Sequence, residues 1–214
     1  MATGFRFAGD VIRVHGQRKG DNDLRPRGGP AKEYQSLPAG SFLLAFAAGE
    51  AEVKRMTSHY GIKNRQGRPM GLGSEGLVAA CAAHGVTLRA RARVVPQPGS
   101  KAGVHRWILL DGQLLDAYLR DAYSIRNSLA HEGSTAGARL QSGYFAKGGA
   151  TTLRSMTLML AEGFLQAAQD VAFLARGSRP SSSAWEWVEP PRSQASRMSA
   201  TLRRHPDFPL PAIA

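Results

Sequence analysis

The chain has 214 residues, 43% of them apolar, which suits one main domain with extensions. Its single cysteine, Cys81, excludes an internal disulfide framework and a cysteine-based zinc cluster. With 28 Lys and Arg against 16 Asp and Glu the formal net charge is +12, a field that attracts polyanions; a basic solvated surface accounts for the same composition.

Residues 1–35 read as a basic irregular arm. Phe5, Phe7, Val11, Ile12 and Val14 are β-formers with polar residues between them and suggest one or two short strands over Phe5 to His15. Gly16 to Pro30 reads as an exposed loop. A helix follows from Ser36, with Pro38 in its first turn and Gly61 beyond its end. Phe42, Phe46, Gly49, Val53, Met56 and Tyr60 form its apolar stripe. A loop over Ile62 to Gly73 carries Lys63, Arg65 and Arg68, and a shorter helix is predicted from a Ser74 cap to about His84.

The period then changes to two. Val86, Leu88, Ala90, Ala92 and Val94 alternate with Arg89, Arg91 and Arg93, predicting a strand with one arginine face. That face suits either a phosphate track for RNA or a solvated outer surface. Val104 to Leu110 is a second strand candidate, so 86–110 reads as a hairpin inserted between helices. From Gln113 the helical period returns: Leu114, Tyr118, Ala122, Ile125 and Leu129 share a face of a helix ending near His131. Gly133 to Gly149 is a Gly/Ser loop. The longest predicted helix runs from Thr151 to Arg176 on a stripe of Leu153, Met156, Leu160, Phe164, Ala167, Val171 and Leu174. Residues 178–214 are rich in Ser, Pro and Arg and read as a disordered tail, with Trp185 and Trp187 as either a docking patch or stacking platforms.

Four helices with one apolar stripe each bury it best against one another. The predicted fold is therefore mainly α, a four-helix-type bundle over 36–177 with a small β-hairpin insertion and irregular termini. No run reaches the roughly 18 apolar residues of a membrane span, since the best stretch, 156–175, is interrupted by Glu162, Gln166, Gln169 and Asp170. No basic segment, apolar run and small-residue cleavage site open the chain, so a cytoplasmic protein is expected.

Phosphate-loop, dinucleotide, zinc-protease and nucleophile-elbow motifs are absent. Cys81 sits among alanines, as a small core residue does. His15, His59, His84, His105 and His205 lack a partner at an informative spacing. His131 has one: Asn127 lies four residues earlier on the same helical face, and Arg126 is long enough to reach that space. A cation, an amide and an imidazole thus gather at a helix C-terminus. RNA cleavage by its own 2′-hydroxyl needs a base that titrates near neutrality, as free histidine does at about 6.5. It also needs a fixed cation on the phosphate, which arginine's planar fork supplies. No metal or other cofactor is required. Spacing alone equally suits a helix-end histidine meeting the helix dipole beside a surface arginine.

Arg126-Asn127-Ser128-Leu129-Ala130-His131 resembles the signature of the HEPN superfamily: Arg, a polar residue, three more, then His. The aromatic helix before the motif and the Gly after it are also similar, and the likeness spans roughly 36–177. It implies a helical bundle that dimerises to bring two motifs into one cleft, with Arg126, Asn127 and His131 as active residues. It also implies a metal-independent endoribonuclease of the kind found in toxin–antitoxin and defence systems, with an antitoxin as a possible partner. Two features depart from the pattern. Gly133 stands where the antitoxin-modified subgroup carries tyrosine, and the 86–110 hairpin is not a standard family element. The alternative expectation is a non-catalytic nucleic-acid-binding module of the same fold.

Overall fold

The computed structural model describes residues 4–12, 36–95, 106–146 and 150–177. The turn predicted over 96–103, the first residues of the strand expected from Val104, and the tail with Trp185 and Trp187 lie outside them. Among the described residues the protein is mainly helical with one small antiparallel sheet. In chain order the elements are α1 (4–12), α2 (Ser36–His59), α3 (Leu77–Ala83), β1 (Arg89–Val94), β2 (Arg106–Asp111), α4 (Gly112–Glu132) and α5 (Leu158–Ala175). No helix among the described residues is long and apolar enough to cross a membrane.

The first element corrects the expected strands. Phe5, Ala8 and Ile12 recur at helical spacing and are buried, and Ser41 Oγ on α2 donates to the Ala8 carbonyl at 2.9 Å. A Cβ on Gly4 would stand 3.0 Å from Ala48 Cβ, so the two helices nearly touch there. β-Formers with no strand partner follow the neighbour that can bury them, and here that neighbour is a helix. Residues 4–12 therefore belong to the core rather than to an irregular arm.

α5 is the axis of the molecule. Every residue from Leu160 to Ala172 is buried, because α2 packs on one side of it and β1 on another. Phe164 meets Phe42 at a ring separation of 4.4 Å and stacks on Phe46 at 5.9 Å. Tyr118 of α4 stacks on Phe145 at 4.7 Å, closing an aromatic cluster between α2, α4, α5 and the loop after α4. α5 begins later than its stripe predicts. Leu153 and Met156 are buried in an irregular lead-in, and Thr157 caps the helix by accepting from the Leu160 amide.

The hairpin forms as predicted, with Arg89 opposite Asp111 and Val94 opposite Arg106, but it is a layer of the core rather than an appendage. Ala90, Ala92 and Val94 are buried on one face, and Arg91 and Arg93, each 1% exposed, on the other. Arg91 donates its backbone N–H and Nε to Asp170 Oδ2, both at 2.8 Å, and its Nη2 to Oδ1 at 2.6 Å. Gln166 Nε2 adds a fourth bond to the same carboxylate at 2.9 Å. Arg93 donates from Nη1 to Glu162, about two turns earlier on α5. Buried charges persist only when paired and hydrogen-bonded, and Arg91 with Asp170 meets that condition.

Gly163 lets strand and helix come together. A Cβ there would meet Arg93 Cβ at 2.5 Å and the Arg93 backbone N and O at 2.7 Å, contacts a backbone cannot yield to cheaply. Gly163→Ala should therefore cost about 1–3 kcal/mol by overpacking, although alanine is the better helix former. Urea denaturation checks this; a variant as stable as the parent would mean that β1 does not seat on α5.

α3 is short and starts at Leu77, not at Ser74. The Ser74 hydroxyl accepts from the Gly71 amide and closes a turn backwards. The α3 terminus is served from outside, by Asp116 of α4 accepting from the Gly76 and Val78 amides. Cys81 is fully buried, and burial with Asp116 nearby pushes its thiol up to about 11, so it remains a protonated core residue.

Candidate functional site

α4 carries Arg126, Asn127 and His131 on its C-terminal half, with Ala122 and Ile125 fully buried as the anchor beneath them. The buried face includes Leu115 and Leu119, while Leu114, expected in the stripe, is 54% exposed. Gly133 ends the helix in the left-handed conformation at φ 66°, its amide bonding the Leu129 carbonyl.

A helix end would ordinarily fray, but this one is stitched to the loop that follows. Ser128 Oγ donates to the Ser134 carbonyl at 2.8 Å and accepts from the Gly137 amide at 3.1 Å. Ser124 Oγ accepts from the Arg139 amide at 2.8 Å, and Asp121 accepts from the Gln141 and Ser142 amides. Thr135 Oγ1 donates onward to the Leu153 carbonyl. Asp121, Ser124 and Ser128 thus make a second, polar stripe whose work is to hold the 134–142 loop along α4.

The motif occupies the neighbouring stripe. Arg126 Nη1 donates to Asn127 Oδ1 at 2.9 Å, and both residues are half-buried. One turn further on, His131 is exposed and its imidazole makes no hydrogen bond or ion pair to a described residue. The amide orients the guanidinium, and the imidazole is left open to solvent. Asn127 and His131 share a face through their four-residue spacing.

Tyr123 belongs to the same stripe, four residues before Asn127. It is 44% exposed, with Phe46 at a ring separation of 6.2 Å and the backbone of Gly73 laid against it. The spacing 123, 127, 131 was the signal in the sequence that picks out this tyrosine.

The arginine row is not part of this site. Arg91 and Arg93 are inside the protein and bound to α5, so neither an RNA track nor a solvated face describes them. Arg89, half-buried at the start of β1, is also engaged. Among the described residues no three His, Cys, Asp or Glu side chains are grouped as metal ligands. Compared with protein-family models, with curated proteins and with solved structures, the chain gives no match.

Proposed function

We propose that the protein is a metal-independent endoribonuclease with a HEPN-like bundle, acting through Arg126, Asn127 and His131. The observation that carries this reading is the Arg126–Asn127 bond one turn before an exposed, unbonded His131. His131 takes the proton from the ribose 2′-hydroxyl, the O2′–phosphorus bond forms, and the bond from phosphorus to the 5′-oxygen breaks. Arg126, oriented by Asn127, stabilises the charge that builds on the phosphoryl oxygens. The 5′-oxygen leaves with a proton from a second acid. The products are a 2′,3′-cyclic phosphate and a 5′-hydroxyl.

Purified protein should therefore cleave single-stranded RNA in EDTA and leave cyclic-phosphate ends. Strict dependence on Mg²⁺, or 3′-hydroxyl products, would contradict the mechanism. Affinity without products is what a non-catalytic binding module would give.

One motif offers one imidazole, and the reaction needs both a base and an acid. Two α4 stripes facing across a twofold axis supply both, and cyclic dimers are the commonest closed assembly. Light scattering at micromolar concentration should report a dimer; a fully active monomer would count against the shared cleft.

A further inference from the structure

The basic loop after α2 is a built element. Gly61, at φ 67°, turns the chain out of the helix, and Ile62 N–H bonds back to the Thr57 carbonyl at 2.7 Å. Lys63 and Pro69 then pair as an antiparallel bridge, with the Asn64 amide donating to the Arg68 carbonyl at 2.8 Å. Asn64 Oδ1 accepts from the Gln66 and Arg68 amides, both at 3.0 Å, and Gly67 takes the left-handed position at φ 74°. At the base, Thr57 Oγ1 donates to the Met70 carbonyl at 2.7 Å. The result is a small finger, 62–70, with its backbone fixed.

Its charges are all positive. Lys63, Arg65 and Arg68 are exposed, and none of the three side chains has an ion pair or hydrogen bond to a described residue. From Val53 to Ser74 there is no Asp or Glu. The flanking acids are engaged: Glu52 by Arg176 and Arg55, Glu75 by Arg120 at 3.5 Å. Tyr60, 45% exposed, stands at the base with His59 edge-on at 5.0 Å. The outgoing arm seats Leu72 on α2, 3.1 Å from where a Gly49 Cβ would stand, and lays Gly73 on Tyr123. It ends one helical turn before Arg126 and Asn127.

We infer that the 62–70 finger, with Tyr60, docks single-stranded RNA and leads it along Tyr123 to the α4 motif. Fixed cations track phosphates, and the exposed rings offer faces to unpaired bases. The preformed backbone spares the ordering cost of binding. A membrane surface fits less well, because no large apolar side chain is exposed between Gly61 and Met70. The choice of RNA rests on the ribonuclease reading; the surface itself rests on the finger.

The test uses the full chain and a 2′-O-methyl single-stranded oligonucleotide, which lacks the attacking hydroxyl and so reports binding alone. Three lost phosphate contacts should flatten the slope of log affinity against log salt by about 2, and weaken binding about 100-fold at roughly 0.1 M salt. Lys63→Gln, Arg65→Gln and Arg68→Gln together should do this. Tyr60→Ala should weaken binding about tenfold with the slope unchanged. Lys54→Gln with Arg55→Gln removes two paired charges nearby and should do little. An unchanged slope in the triple variant, no binding by the parent, or loss confined to phosphatidylserine vesicles each overturns the proposal. Cleavage of ordinary RNA is followed in parallel. A parent that binds through the finger but never cleaves refutes the ribonuclease and leaves the docking surface standing; a triple variant that cleaves and binds as the parent does refutes the finger alone.

Discussion

His131→Ala is expected to lower the rate of RNA cleavage by about 10²–10⁴-fold, the range general acid–base catalysis supplies. The fold should not change, because the His131 imidazole is exposed and bonded to no described residue. Affinity for the 2′-O-methyl oligonucleotide should also stay near that of the parent, which separates loss of chemistry from loss of binding. Arg126→Lys tests the fork: it keeps the charge but loses planar recognition of the phosphate and the bond to Asn127. It should therefore fall between the parent and Arg126→Ala. Circular dichroism, binding and initial rates on the same preparations decide the matter. A His131→Ala protein that cleaves at the parent's rate would remove this histidine from the mechanism.

The other large effect is on stability. Arg91→Met leaves Asp170 buried with two of its four hydrogen bonds lost from the Arg91 side chain, and a stranded buried charge costs about 3–5 kcal/mol. For a domain of this size that lowers Tm by on the order of 10 °C. Arg91→Met with Asp170→Leu should recover much of the loss, since an apolar pair of similar volume is often as stable as the ion pair it replaces. Thermal melts of the single and double variants make the comparison. If the single variant melts with the parent, Arg91 does not hold β1 to α5. If it keeps its stability and loses salt-dependent RNA affinity instead, the arginine is a surface ligand after all.

The two experiments divide the basic residues between roles that composition cannot distinguish. Arg91 and Arg93 alternate with small apolar residues in β1, which is also how an outward-facing row would read. Lys63, Arg65 and Arg68 lie among Gly, Pro and Asn, as an ordinary polar loop would. What separates them is partners: Asp170 is 79 residues from Arg91 and Glu162 is 69 from Arg93, while the finger cations have no such counterpart among the described residues. No local pattern reports a pairing at that range.

What the sequence determined by itself is what a few neighbouring residues decide. The apolar periods of α2, α4 and α5, the period-two stretch that became β1, the glycines beyond the helix ends and the place of Arg126, Asn127 and His131 on the last turns of α4 follow from spacings within one or two turns. Cys81 read correctly as core for the same reason. The tertiary structure decided whatever depended on a distant partner. Residues 4–12 became a helix because α2 could bury Phe5, Ala8 and Ile12. α3 started at Leu77 because Asp116 caps it from α4. The arginine face of β1 turned inward because α5 carries Glu162, Gln166 and Asp170 on the side that meets it. A charged side chain enters a core only when its counter-charge is already there, and the chain brings the two together only on folding.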